Sequence, residues 1–139
     1  MNIDSIKNGF VIDHIKAGNS MLVYKYLNLG ELDCPVAIIK NVNSRKMGKK
    51  DIIKIDADID LDLNVLGYIN HDATVNVVKN GEIVEKKHLA LPETVTGVIK
   101  CKNPRCITTT EQEITHIFKL TDKENRVYRC IYCEAKAND

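Results

Sequence analysis

Apolar positions in the first 90 residues follow two different periods. Short runs rich in valine and isoleucine predict strands, because β-branched side chains fit the pleated surface of a sheet. Two other segments repeat their apolar residues every three or four positions, which predicts amphipathic helices. The strands are predicted at residues 10–15, 36–42, 51–55, 74–78 and 83–86.

The helices are predicted in two of the intervals between these strands. The first begins in the polar stretch 17–20 and ends at Gly30, and the second carries its apolar residues between Leu61 and Ile69. Asn80-Gly81 predicts a two-residue hairpin turn before the last strand. The resulting order predicts an α+β fold, with a ferredoxin-like βαββαβ N-terminal domain that carries an added hairpin strand.

Four cysteines near the C-terminus form two closely spaced pairs. Cys101 pairs in the sequence with Cys106, and Cys130 with Cys133, with 23 residues between the pairs. Two such pairs can surround one tetrahedral ion with four thiolates and leave no coordination position open for catalysis. Two disulfides in a secreted domain are the alternative, but the first seven residues hold no apolar run of signal-peptide length. We therefore predict one structural Zn²⁺ per chain and a cytoplasmic protein, with Cys34 as a core thiol.

All four paired cysteines follow Pro92, which predicts a domain boundary there. The expected domains are residues 1–92 and 93–139. Segments 94–100, 114–120 and 126–129 are predicted to form a small all-β zinc-ribbon domain around the cysteines. A domain of this size needs the metal to fold, because it buries too little apolar surface without it.

Charge and aromatic content restrict the possible partners. The net charge is +1, with 12 Lys/Arg against 12 Asp/Glu up to Pro92 and 8 against 7 after it. Neither domain therefore resembles a general binder of the phosphate backbone. The chain has no tryptophan and 5% aromatic residues, which disfavours base-stacking surfaces. Charged residues interrupt every apolar run before membrane-spanning length. We expect no nucleic-acid or membrane partner.

Acidic and histidine residues offer other metal ligands, but their spacing is unfavourable. Aspartates alternate at positions 56, 58, 60 and 62, as in a calcium-binding loop, yet Leu61 and Gly67 stand where that loop requires glycine and glutamate. Favourable charge at a helix N-terminus is the better interpretation. His71, His88 and His116 are isolated, and we predict surface or core roles for them rather than metal ligation. No catalytic motif is present in the sequence.

A set of polar residues falls on the predicted sheet of the first domain. Its members are Asp13, His14, Lys50, Lys54, Asn76 and Lys86. A solvated sheet face accounts for the pattern as well as a binding site does, because antiparallel sheets commonly keep one face in water. The chemistry suits an anionic ligand that carries hydroxyls, since carboxylates accept from hydroxyls and lysines neutralise phosphates.

Several segments together resemble the regulatory chain of aspartate carbamoyltransferase. They are residues 9–15, 47–55 and 73–76, followed in order by the Cys-x4-Cys and Cys-x2-Cys pairs, so the resemblance covers essentially the whole chain. It implies a non-catalytic subunit that binds CTP and ATP, with UTP as a further candidate, and transmits allosteric control of pyrimidine biosynthesis. It also implies a homodimer through the N-terminal domain and docking of the zinc domain on the catalytic chain.

The resemblance also implies a role for each site residue. Asp13 and Lys54 would hold the ribose, His14 and Lys86 would face the phosphates, and Lys50 and Asn76 would line the same pocket. Backbone groups near Ile6 and Gly81 would read the exocyclic amino group of the base, with Val11, Val78 and Ile83 as apolar walls. Asn103, Arg105 and Glu134 would contact the catalytic chain. Gly81 and Arg105 depart from the family, which carries an aromatic residue and an asparagine at these positions.

Two other functions are compatible with parts of the sequence. One is a nucleic-acid-binding zinc-ribbon protein, although such ribbons usually have a basic surface. The other is a free-standing sensor of small molecules that has no enzyme partner. Retention on heparin and copurification with a catalytic subunit would distinguish these alternatives from the regulatory function.

Overall fold

The computed structural model describes residues 6–137, which divide into a first unit ending at Ala90 and a second unit starting at Leu91. The first unit contains five strands and two α-helices. In chain order they are β1 (Gly9–Lys16), α1 (Ser20–Tyr26), β2 (Val36–Ser44), β3 (Gly48–Ile55), α2 (Leu63–Ile69), β4 (Thr74–Lys79) and β5 (Glu82–His88). A short 3-10 helix, Leu29–Glu31, follows α1.

These five strands form one antiparallel sheet in the order β2-β3-β1-β4-β5. The first four strands have the order and direction of a ferredoxin-like sheet, and β5 extends it beside β4 through the turn at Asn80-Gly81. Both turn residues have positive φ, 53° and 79°, as a tight hairpin of this kind requires. The predicted α+β fold with an added hairpin strand is confirmed.

One face of the sheet forms the core together with the helices. Alternate residues of the central strands point to this face, including Ile12, Ile53 and Val75, and all are fully buried. Val23 of α1 and Leu66 of α2 pack against them. The intervening residues of the same strands therefore point to the opposite face, which is where the predicted polar set lies.

The first helix differs from its prediction at the C-terminal end. It ends at Tyr26, and the chain then turns through Asn28, which has a left-handed φ of 55°. Asparagine tolerates this conformation better than most residues, so the turn does not need a glycine. The prediction that Gly30 ends this helix is wrong, because Gly30 lies within the 3-10 helix.

The interpretation of the acidic run as charge at a helix N-terminus is confirmed at Asp62, the last aspartate of the run. Asp62 is the N-cap of α2, and its carboxylate accepts hydrogen bonds from the backbone N–H groups of Asn64 and Val65 at 3.1 and 3.2 Å. These bonds satisfy two donors that the first turn of a helix leaves free. Leu61, predicted within the helix, precedes it.

The second unit contains a three-stranded antiparallel sheet with strand order β6-β7-β8. The strands are β6 (Thr94–Thr96), β7 (Ile117–Asp122) and β8 (Val127–Cys130), and a four-residue helix, α3 (Ile107–Thr110), follows Cys106. Phe118 and Tyr128 are its largest fully buried side chains, and the Tyr128 hydroxyl donates to the carbonyl of Pro92 at 2.6 Å. This small sheet with its cysteine cluster is consistent with the predicted zinc ribbon. None of the described helices is long and apolar enough to cross a membrane.

Candidate functional site

Four cysteine sulfurs come together at one end of the small sheet in the second unit. The Sγ atoms of Cys101, Cys106, Cys130 and Cys133 all lie within 4.8 Å of one another. The contacts Cys101–Cys133 and Cys106–Cys130 measure 3.5 and 3.7 Å, and all four thiols are free. Four thiolates around one tetrahedral ion with bonds of about 2.3 Å would lie about 3.8 Å apart. The observed spacing therefore fits a single metal ion.

Backbone N–H groups surround these sulfurs, as the spacing of each cysteine pair predicts. Ala135 donates its N–H to the Cys133 sulfur at 3.4 Å. The backbone N–H groups that act on the other thiols belong to Asn103 at Cys101, Thr108 at Cys106, and Tyr132 and Cys133 at Cys130. Such donors stabilise negative charge on sulfur, which is the form that binds a metal.

The four thiols do not share one ionisation behaviour. Burial raises the pKa of Cys101 to about 12, and burial also raises the pKa of Cys130. In contrast, the hydrogen bond from the Thr108 side chain lowers the pKa of Cys106 to about 6. Four thiolates in contact, three of them buried and Cys133 half-buried, repel one another unless a cation compensates their charge. The donor set thus suits a bound cation, and because four sulfurs complete a tetrahedral shell, the site suits a structural ion.

His116 lies beside this cluster, which the sequence did not predict. Its Nδ1 atom accepts a hydrogen bond from the backbone N–H of Cys101 at 2.9 Å. The imidazole nitrogen therefore serves as the hydrogen-bond acceptor for the backbone of Cys101, and not as a fifth metal ligand. No spacing rule connects a histidine between the two cysteine pairs with this role, so only the tertiary structure reveals it.

In the first unit, a row of residues crosses four strands at one register on the face that the helices leave uncovered. Lys54 on β3 lies opposite Val11 on β1, Val11 opposite Asn76 on β4, and Asn76 opposite Lys86 on β5. Residues directly opposite each other in a sheet share a face. Among residues 6–137, the side chains of Lys54 and Lys86 have no hydrogen-bond or ion-pair partner, so this row presents two uncompensated positive charges.

A cavity of about 190 Å³ opens next to this row. Four aliphatic residues, one glycine and one lysine line it: Ile6, Val11, Val78, Ile83, Gly81 and Lys54. Gly9 on β1 lies opposite Val78 on β4. It allows β1 to pass close to β3, because a Cβ atom at Gly9 would clash with the Ile55 carbonyl. The structure therefore brings together all five residues that the family resemblance assigned to the base and its apolar walls, together with Lys54.

A polar cluster lies further along the same face. The Lys50 ammonium contacts the Asp13 carboxylate at 2.9 Å, and His14 Nδ1 lies 3.1 Å from the Thr74 hydroxyl. His14 has a positive φ of 58° at an irregularity in the pairing of β1 with β3, and its N–H donates to Asp13 at 2.6 Å. Burial alone would raise the pKa of Asp13, but its hydrogen bonds with Lys50 and the His14 N–H hold the pKa below the ordinary value.

Most of the predicted ligand residues thus fall into two groups on one sheet face. Lys54 and the apolar residues line the cavity, whereas Asp13, His14 and Lys50 form the polar cluster. Asn76 and Lys86 belong to the row but do not line the cavity. Sequence reasoning missed Thr74, which is buried beside His14, because a threonine in a strand carries no signal that separates it from other β-branched residues.

The surface around the cysteine cluster is apolar for an exposed region. Ile107, Ile131 and Tyr132 are each 45–48% exposed and lie next to a clustered cysteine in the sequence. Two of the residues expected to contact a partner, Asn103 and Arg105, lie between Cys101 and Cys106 in the sequence. The backbone N–H of Arg105 donates to the Asn103 side-chain oxygen at 3.1 Å. The third, Glu134, directly follows Cys133 and has a positive φ of 64°.

Both parts of the chain match described protein families. Residues 1–90 match the allosteric domain of the aspartate carbamoyltransferase regulatory chain, and residues 93–139 match its metal binding domain. A Clostridium botulinum protein named aspartate carbamoyltransferase regulatory chain is 53% identical over 134 residues, which are 96% of this chain and 92% of that protein. The proteins of the same name from Clostridium acetobutylicum and Bifidobacterium longum are 51% and 49% identical, over 96% and 99% of this chain and 92% and 99% of theirs.

Proposed function

Because the chain belongs to the family of aspartate carbamoyltransferase regulatory chains, we propose that its first unit binds CTP and ATP and so controls the activity of the catalytic chains. The chain is a non-catalytic subunit with an allosteric domain and a metal-binding domain. The proposed domains are residues 1–92 for nucleotide binding and 93–139 for docking. The observation that carries the proposal is the apolar cavity beside the row of unpaired lysines.

The two groups of residues match the two ends of a nucleotide. The cavity offers Val11, Val78 and Ile83 as walls for a planar base, with backbone groups near Ile6 and Gly81 to recognise its exocyclic amino group. Gly81 adds no side chain to the cavity wall, so the shape of the wall at Gly81 contributes little to the choice between bases. UTP, which lacks that amino group, remains a further candidate ligand.

The ribose and phosphates extend from the cavity onto the polar part of the face. Lys54, at the cavity, and Asp13 would hold the ribose hydroxyls, and Lys50 keeps the Asp13 carboxylate ionised as an acceptor. His14 and Lys86 would face the phosphates, with Asn76 between Lys86 and Val11 in the row. A charge-assisted contact of this kind contributes about 1.5 to 3 kcal/mol to binding.

We propose Zn²⁺ as the ion of the cysteine cluster, with one ion per chain. A closed shell of four sulfurs at tetrahedral spacing is the arrangement that structural zinc prefers. When bound, the ion supplies no chemistry and holds the two cysteine pairs together. The residues around it, Asn103, Arg105 and Glu134 with the exposed apolar Ile107, Ile131 and Tyr132, form the proposed docking surface for the catalytic chain.

Regulation then follows from linked equilibria. A nucleotide changes the balance between the low- and high-activity states of the assembly only if it binds one regulatory conformation better than the other. A coupling of about 1 to 3 kcal/mol is typical of allosteric proteins. The regulatory chain itself performs no reaction.

Titration calorimetry of the zinc-loaded chain tests the nucleotide site. We expect saturable binding of CTP and ATP, weakened roughly tenfold or more by Lys54→Ala and by Lys86→Ala, because each removes an unpaired cation from the row. Lys87→Ala is the matched control, since Lys87 lies opposite the buried Val75 and so on the other face, and it should change the affinity less than threefold. Failure of both nucleotides to bind, or equal effects of the Lys86 and Lys87 changes, would contradict the proposal.

We also propose that the first unit pairs with a second copy of the chain. Among the described strands β2 lies at an edge of the sheet, and its first four residues, 36–39, carry no charge. An open apolar edge of this kind is suited to association. Sedimentation velocity at micromolar concentration should give twice the mass of the chain, and a monomer at every concentration up to 100-fold higher would contradict the dimer.

A further inference from the structure

Three consecutive threonines follow Cys106, and their hydroxyls have different partners. Thr109 donates to the carbonyl of Asn103 at 2.7 Å, and Thr110 donates to backbone carbonyls of its own helical turn at 3.3 and 3.5 Å. The Thr108 hydroxyl instead lies 3.0 Å from the Cys106 sulfur. Neighbouring residues of one type therefore have separate roles, and only one of these hydroxyls contacts a clustered thiol.

The direction of the Thr108 hydrogen bond follows from the chemistry of the two groups. Cys106 in a metal site is a thiolate, which has no proton to donate. The Thr108 side chain is buried, and within residues 6–137 its hydroxyl has no partner other than this sulfur. A buried hydroxyl without a partner is unfavourable. The hydroxyl is thus the donor and the thiolate the acceptor.

We propose that the Thr108 hydroxyl, by donating to the Cys106 thiolate, slows the release of the metal from the cysteine cluster. A metal-bound thiolate is lost when a proton or an electrophile captures its electron pair. A hydrogen bond to that pair makes the sulfur less basic and less nucleophilic, and groups that bind metal ligands in this way commonly change affinity 10- to 100-fold. The proposal concerns the metal centre alone and does not depend on nucleotide binding.

Among the groups that donate hydrogen bonds to the clustered sulfurs, the Thr108 hydroxyl is the one that a substitution can remove. Apart from the contacts among the sulfurs themselves, the other donors to the clustered sulfurs are backbone N–H groups, such as that of Ala135 at Cys133, which nearly any residue would supply. Among the described residues, Thr108 is the one whose side-chain hydroxyl reaches a clustered sulfur. Substitution there removes a donor while every backbone donor is kept.

Metal release from the full zinc-loaded chain tests this role. With an excess of a chromogenic chelator, we expect Thr108→Val, which replaces the hydroxyl by a methyl group of similar size, to release zinc at least tenfold faster than the unaltered chain. Thr110→Val is the matched control, because the Thr110 hydroxyl contacts only backbone carbonyls, and its release rate should stay within about twofold. Equal rates for the two variants would overturn the proposal.

A second pair of variants separates the hydroxyl from the packing of the side chain. Thr108→Ser keeps the donor and Thr108→Ala removes it, so the two differ in one oxygen atom. The serine variant should release zinc nearly as slowly as the unaltered chain, and the alanine variant should be at least fivefold faster than serine. This comparison decides the question even if the valine variant does not fold, and equal release from serine and alanine would overturn the proposal.

Cobalt provides a readout at the sulfur itself. In the Co²⁺-loaded chain, the sulfur-to-metal charge-transfer absorption depends on the electron density of the thiolates. Loss of the hydrogen bond in Thr108→Ala should shift this band to lower energy, whereas Thr108→Ser and Thr110→Val should leave it in place. A band that does not move in the alanine variant would show that the hydroxyl does not act on the thiolate.

Discussion

Removal of the metal is expected to unfold the second unit and leave the first unit folded. The second unit has about 50 residues, and its buried apolar side chains come mainly from Val95, Ile99, Phe118 and Tyr128, with three of the four cysteines completing the core. Structural zinc contributes about 10 to 16 kcal/mol to the folding of small domains at neutral pH, far more than a core of this size supplies. Addition of a strong chelator should therefore abolish the amide resonance dispersion of residues after Leu91 but not that of the large sheet.

The consequence for assembly follows from the position of the docking surface. Because Ile107, Ile131 and Tyr132 adjoin the cysteines, loss of the metal should release the catalytic chains while CTP still binds to the first unit. Displacement of zinc by a mercurial, followed by gel filtration of the complex, measures this directly. An intact complex after complete zinc loss would contradict the proposed docking surface.

Two single-cysteine variants provide the control for metal removal. Cys106→Ser removes one ligand and should reproduce the effect of the chelator without any chelator present. Cys34→Ser changes a half-buried thiol that belongs to the first unit and is not one of the four clustered cysteines, and it should leave zinc content and assembly unchanged. Equal zinc binding by the Cys106→Ser and Cys34→Ser variants would contradict the assignment of the four cysteines as the metal ligands.

The features that sequence predicted are those with a short-range cause. The spacing within each cysteine pair forms a tight turn, so the sequence already indicated that the four sulfurs would lie together. The Asn80-Gly81 turn predicted the hairpin of β4 with β5, and beside the turn Lys79 pairs with Glu82 and Val78 with Ile83. Local patterns of this kind do not depend on the rest of the fold.

The features that sequence missed depend on distant partners. His116 meets the backbone of Cys101 across 15 positions, and the hydroxyl of Thr74 meets His14 across 60. The end of α1 was misplaced because asparagine and glycine both permit a left-handed turn, and only packing selects Asn28 over Gly30. Asp51 was assigned only as the start of a strand, yet it is the most highly connected carboxylate of the first unit among the described residues.

Asp51→Asn is expected to lower the free energy of unfolding of the first unit by about 3 kcal/mol. The Asp51 carboxylate is fully buried and accepts from the N–H groups of Gly18, Ser20 and Asn41 at 3.1, 3.3 and 3.0 Å. It thereby binds the start of α1, where Asn19 makes no side-chain cap, and the β2 irregularity at Asn41, where φ is 61°. An amide in its place loses the charge and turns an NH₂ group toward N–H donors, which leaves buried groups unpaired.

The pKa of Asp51 sets the pH range of this effect. Burial alone would raise the pKa, but the groups that donate from Ser20, Asn41 and Gly18 hold it below the ordinary value. A carboxyl whose folded pKa is depressed contributes its full stability above its unfolded pKa of about 3.9, and loses it as the pH falls through the folded value. The difference between the aspartate and asparagine forms should therefore be constant from pH 5 to 8 and shrink below about pH 4.

Asp13→Asn is the matched control for urea denaturation of the first unit. Asp13 is a half-buried carboxylate on the same sheet, and it pairs with the Lys50 ammonium rather than with several backbone donors. Its loss should cost less than about 1 kcal/mol of stability, because part of the pair is in water, while it weakens nucleotide binding. The two variants thus separate stability from the proposed ligand binding: Asp51 holds β3 and the start of α1 in place, whereas Asp13 is the proposed carboxylate partner of the nucleotide. An Asp51→Asn variant as stable as Asp13→Asn would refute this division.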